Sequence, residues 1–199
     1  AGPVTDRPPE AFATPREWYV GAEIRARAER VNEVLRPDLV VALHFNAVGW
    51  PDPAAPSLVP ENHAHVLVNG SYRAEELADP EQRRALFERL LGGVGAVETQ
   101  LAAAFTPGIR ALGLPPFAYG RDNAHRVNAD PYLWSRNLLA NRLYRCPVVY
   151  LELFVANSQP FYDAWSRDPE TIRGAYAQVV IEGLRAVLAN PPGNSPNED

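Results

Sequence analysis

Two stretches leave this chain little choice of fold: "LVVALHFN" at residues 39–46 and "PVVYLELFV" at residues 147–155. Each is apolar almost without alternation, so each predicts a strand covered on both faces, as in a buried, largely parallel sheet with helices packed over it. "HVLVNG" at residues 65–70 predicts a third strand. Helical patterns fill the intervals. "TPRE" at residues 14–17 has the form of a capping box with proline at the first helical position, and Val20, Ile24, Ala28, Val31 and Leu35 follow at helical spacing, predicting a helix over 15–36. Asp79-Pro80, Asp130-Pro131 and Asp168-Pro169 each pair a capping aspartate with a proline that presets the first helical turn, so three more helices are expected. The first carries Leu86, Leu90, Val94, Val97, Leu101 and Phe105 on one stripe and is interrupted at Gly92, Gly93 and Gly95, where it bends or breaks. The closing helix spans 171–188. Residues 106–129, rich in proline, glycine and aromatics, predict a long irregular loop of the kind that borders sites.

The expected architecture is a single α/β domain over residues 1–189, with a mostly parallel sheet flanked by helices and a flexible tail over 190–199. Three strands are few for such a sheet. Either further strands escape the pattern or N-terminal strands of the fold precede Ala1. A hydrophobic fraction of 46% in 199 residues supports a substantial core, while a net charge of -5 and a pI near 5.4 leave no basic field for nucleic acid. No apolar run approaches the roughly 20 residues of a membrane span. Cys146 is the sole cysteine, which excludes an internal disulfide framework and a thiolate zinc cluster; at a strand start it reads as a small core residue.

Alternation along the first strand puts Val40, Ala42, His44 and Asn46 on one face, so His44 and Asn46 point together at the strand's carboxyl end, where open α/β sheets build their sites. Glu152 lies inside the apolar run of the later strand and needs a partner, because an unpaired buried carboxylate costs several kcal/mol. A metal-bound water and an arginine ion pair both meet that need. His63 and His65 stand two apart in "ENHAHV", which suits either a pair of metal ligands or substrate contacts at a strand entrance. His125, in the long loop, suits substrate or solvent. Phe117, Tyr119, Tyr132 and Trp134 serve equally as groove walls or lid packing.

"RAERVNEVLRPDLVVALHFNA", residues 27–47, resembles the zinc-dependent N-acetylmuramoyl-L-alanine amidases of bacterial cell walls, which carry an arginine, an asparagine five residues later, Asp-Leu and a Ser-Ile-His-x-Asn-Ala strand. Arg27, Asn32, Asp38, His44, Asn46 and Ala47 match. "CPVVYLELFVANS", residues 146–158, is similar to the second hallmark, Pro-x-Val-Leu-Val-Glu followed by Ser-Asn, through Pro147, Glu152 and Asn157, with one residue fewer after the glutamate. "VTDRPPEAF" at residues 4–12 is an imperfect counterpart of the family's Val-x-x-Thr-Arg segment.

The resemblance implies zinc held in part by His44, and Glu152 as the base that deprotonates its water and passes the proton to the departing amine. It implies peptidoglycan or a muropeptide as substrate, and Asn46, His63 and His65 are the expected substrate contacts beside these two residues. An exported protein of the periplasm or cell wall follows. The family's other two zinc ligands, a histidine and a glutamate, lie upstream of the Thr-Arg segment, so they are expected before Ala1. A non-catalytic peptidoglycan-binding module and an amidohydrolase of a smaller N-acyl amino acid are the competing expectations.

Overall fold

The computed structural model describes residues 9–50, 52, 54–120 and 123–192. Residues 4–8 of the Thr-Arg-like segment at 4–12, and residues 193–199 of the tail, lie outside the described residues. The first helical run begins as α1 (Pro15–Glu17), where the Thr14 side chain accepts from the Glu17 amide at 3.2 Å, as "TPRE" predicts. It continues through a π-helical turn (Trp18–Ala22), α2 (Glu23–Arg30) and a second π-helical turn (Val31–Leu35). Arg36, at φ 45°, ends it in the left-handed region.

Strands β1 (Val40–Asn46) and β2 (His65–Val68) follow, then helices α3 (Ala74–Ala78), α4 (Pro80–Leu91), α5 (Val94–Ala103) and α6 (Thr106–Ala111). The expected long helix breaks at its glycines, with Gly93 at φ 65°. A buried ion pair spans the break. Arg89 of α4 donates to Glu98 of α5 and, at 2.8 Å, to the Tyr144 carbonyl, while Glu98 also accepts from the amides of Asn69 and Val148.

Beyond α6 come β3 (Ala124–Arg126), β4 (Leu133–Arg136), α7 (Leu139–Arg142), β5 (Val148–Val155), α8 (Gln159–Arg167) and α9 (Pro169–Ala189). Residues 106–129 are therefore more ordered than their composition suggests, opening with α6 and ending beside β3. The helix expected at Asp130-Pro131 is a turn into a strand instead. Asp130 Oδ1 accepts from the Tyr132 amide at 2.9 Å, which closes the turn, and β4 starts at Leu133 with the β-prone Trp134 in it. At Asp79 and Asp168 the same device does start helices.

The five strands lie in the order β1-β5-β2-β4-β3. β1 with β5 and β2 with β4 are parallel, whereas β5 with β2 and β4 with β3 are antiparallel. The α/β layering is as expected, but the sheet is mixed rather than mostly parallel, because β2 runs against the two long strands. The larger core, on one face, joins Val66, Val68, Leu151 and Leu153 to Leu101 of α5, Phe105 in the turn before α6, Ile109 of α6 and Val179 of α9. Leu67, Trp134 and Tyr150 form a smaller cluster, and Ala28, Tyr144 and Val148 another beneath α2. Among the described residues, no helix is long and apolar enough to cross a membrane.

Candidate active site

Strand β5 is buried along its whole length, and register sets a histidine against Glu152 on each side: His44 on β1 and His65 on β2. Glu152 Oε1 lies 3.3 Å from His44 Nδ1, and Oε2 lies 2.8 Å from His65 Nε2. The partner that the buried carboxylate requires is thus a pair of imidazoles rather than an arginine. Burial pushes the Glu152 carboxyl upward, but hydrogen bonding from His44 and His65 outweighs it and brings the group down to about 2. The three residues differ sharply in access. Glu152 is 5% exposed and His65 fully buried, while the His44 side chain is 50% exposed and forms the open side of the cluster.

The long loop closes the other side. Phe117 packs 4.4 Å from the His63 ring and 5.4 Å from the His65 ring, and the Tyr119 hydroxyl lies 2.9 Å from His65 Nε2. Burial, then the charge of Glu152, raises Tyr119 to about 12, so its hydroxyl keeps its proton. Asn46 Oδ1 accepts from the Ala47 amide at 2.8 Å, which turns Asn46 Nδ2 toward His63 Nε2, also at 2.8 Å. Burial lowers His63 to about 4, leaving a neutral ring that accepts this bond. His44, Asn46, His63, His65 and Glu152 are therefore one connected group. His125 stands apart, bonded through Nδ1 to Ser71 Oγ at 2.9 Å. Tyr132 also stands apart, in the larger core.

Other motif residues brace this group. Asn32 donates to the Leu143 carbonyl at 2.8 Å and accepts from the Arg145 amide at 3.0 Å, fixing the approach to β5. Asn157 bonds both the amide and the carbonyl of Val48, at 3.1 and 2.8 Å, which holds the exit of β1 against the exit of β5. Cys146 packs beside the Ala28–Tyr144–Val148 cluster, and burial pushes its thiol up, as suits a core residue. Tyr119 is the residue that pattern reading undervalued. Its signal was an aromatic in a Pro/Gly-rich loop, and that signal does not say which side chain it meets.

No family model matches the sequence, and no curated protein matches it. Solved structures do. The apo form of the N-acetylmuramyl-L-alanine amidase Ami1 from Mycobacterium abscessus matches with a TM-score of 0.51 at 23% identity, over 83% of this chain and 61% of that one. Ami1 from Mycobacterium smegmatis matches with a TM-score of 0.52 at 20% identity, over 83% of this chain and 60% of that one. This chain has the fold of the N-acetylmuramyl-L-alanine amidases. It spans less than two thirds of the length of these amidase structures.

A catalytic zinc in such a fold needs about three protein donors and one open position. Here His44 Nδ1 and His65 Nε2 both face Glu152, and His63 Nε2 is engaged by Asn46. Among the described residues, no group of three or more histidine, cysteine, aspartate or glutamate side chains is arranged to hold a metal ion. These residues do not by themselves fit a catalytic zinc.

Proposed function

We propose that this chain belongs to a hydrolase of the amide between N-acetylmuramic acid and L-alanine in peptidoglycan or muropeptides, with Glu152 as the general base. The observation that carries this reading is a carboxylate buried within β5, in a fold shared with two such amidases, and held between imidazoles on both neighbouring strands. Oε2 is anchored by fully buried His65, whereas Oε1 faces the half-exposed side at His44. Oε1 is the oxygen that takes the proton of an attacking water, and it returns that proton to the amine as the carbon–nitrogen bond breaks. A carboxylate held near 2 is ionised, as an acceptor must be, but it is a weak base while both imidazoles donate to it. Release of the longer, 3.3 Å contact to His44 removes one of those donors and restores basicity.

Asn46 and His63 contact substrate at the cluster's edge in this reading, and His65 does so through Glu152. His44, half-exposed at the open side of the cluster, is the residue this reading assigns to zinc. The substrate places the protein outside the cytoplasmic membrane, in periplasm or cell wall. The cover of Phe117 and Tyr119 over His63 and His65 favours a second reading, hydrolysis of a smaller N-acyl amino acid that enters past His44. One set of assays separates them: turnover of a muramoyl-peptide and of a panel of N-acyl amino acids, alongside elemental analysis of protein purified without chelator. Cleavage of the muramoyl amide supports the first reading, and cleavage confined to small acyl amino acids supports the second. Substrate binding with neither turnover nor metal leaves a binding module.

A further inference from the structure

We infer that Tyr119 is a positioning residue for Glu152, acting through His65; the inference rests on reading Glu152 as the proton acceptor. His65 is fully buried, and its two ring nitrogens are used very differently. Nε2 lies 2.8 Å from Glu152 Oε2 and 2.9 Å from the Tyr119 hydroxyl, while Nδ1 has no hydrogen-bond partner among the described residues. That asymmetry assigns the tautomer. A proton on Nδ1 would be a buried donor without an acceptor, and a bare Nε2 would turn its lone pair toward a carboxylate oxygen. With the proton on Nε2 both penalties disappear, and the one N–H is shared between Oε2 and the phenol oxygen.

Tyr119 also fixes the plane of that ring. Its own ring stands edge-on to His65, at 5.4 Å and 88°, and edge-on to Phe117, at 4.5 Å and 84°. Its far side leans on Trp134 at 5.2 Å, with the Arg136 guanidinium 5.4 Å from the ring centre. Rotation of the His65 ring would break both halves of the shared bond and strike Phe117. The clamp therefore keeps Oε2 occupied and leaves Oε1, on its longer 3.3 Å contact to His44, as the oxygen that accepts a proton once that contact is released. Neither apolar patterning nor the resemblance points to this role, since Tyr119 lies in the irregular loop and joins the site only through the fold.

The test is Tyr119→Phe, which keeps the ring packing and removes only the hydroxyl. Selectively labelled protein reports the His65 tautomer through its two-bond nitrogen–proton correlations, Nε2–H exchange directly, and the environment of Glu152 through its side-chain carboxyl carbon. The wild type should show an Nε2–H tautomer in slow exchange. The variant should show exchange at least about tenfold faster and a moved Glu152 carboxyl resonance, at nearly unchanged melting temperature. In an active enzyme, kcat should fall on the order of 10-fold to 100-fold with KM within about twofold. A wild-type Nδ1–H tautomer, a variant whose His65 and Glu152 signals match the wild type, or an unchanged kcat overturns the inference. His65→Gln provides the second probe, because its amide can still donate to Oε2. It should retain the Glu152 resonance better than His65→Leu, and equal displacement in the two would also overturn the inference. The resonances are read without turnover, so loss of the amidase reading and loss of this one are separate outcomes.

Discussion

Glu152 is where chemistry and packing make different demands on one side chain. In Glu152→Gln the amide oxygen still accepts from His65 Nε2, so the fold loses little, on the order of 1 kcal/mol, but the residue no longer takes a proton. Turnover should fall by about 10² to 10⁴ with KM little changed, read by steady-state kinetics beside a thermal melt. A folded variant with undiminished turnover would remove Glu152 from the mechanism. The neighbouring His63 predicts a pH effect of definite sign. Its folded value, lowered to about 4 by burial and then by His65, lies below its ordinary 6.5, so the unfolded chain binds more protons between those values. Stability is complete above about 6.5 and is lost as pH falls toward 4, and His63→Gln should flatten that slope in urea unfolding followed from about pH 7 to about pH 5. A slope unchanged by the substitution would count against a buried neutral ring. At this scale the sequence showed that His44 would sit at a strand's carboxyl end and that Glu152, inside its apolar strand, needed a partner. It could not show that His65 was that partner, because strand register between β2 and β5 is set by contacts far apart in the chain.

Elements whose apolar pattern repeats over many residues were the legible ones. β1, β5, α4 and α9 lie where patterning and caps put them, since the two strands are long apolar runs and the two helices each begin on an Asp-Pro cap. β3 and β4 are three and four residues long, too short to present a period, whereas α8 begins on a Ser158 cap rather than the Asp-Pro device. The Arg89–Glu98 pair was hidden for a different reason: both residues sit on helices where charges are expected to face solvent. Burial pushes the Glu98 carboxyl up against the pull of Arg89 and the two backbone amides, and those three donors leave it no neutral replacement. Glu98→Ala would strand a buried guanidinium and two amides, costing about 3 to 5 kcal/mol in chemical denaturation. Pairing it with Arg89→Leu should recover part of that loss, and an additive double variant would argue that the two side chains do not act as a unit.

At the scale of the whole molecule, the strand that reads most like an interior strand stands at the edge of the sheet. β1 has no charge or proline to blunt it, and Leu43 on it is 60% exposed. Three apolar patterns are fewer strands than such a sheet needs. The fold supplies two, β3 and β4, but at the opposite edge, so the apolar surface beside β1 is uncovered by them. There, Leu43, Phe45, Trp165, Tyr176, Val180 and Ile181 line a groove of about 570 Å³ between β1 and α9, with His44 at its margin. A continuous apolar surface of this kind should take up an environment-sensitive dye such as anilinonaphthalene sulfonate in the native state. Ile181 is 44% exposed on α9, so Ile181→Glu should lower the native-state fluorescence severalfold at nearly unchanged melting temperature, whereas the same change at exposed Leu188, outside the groove, should not. Dye binding that is absent from the folded protein, or equally lowered by both substitutions, would show that the groove is not the accessible apolar face of this sheet edge.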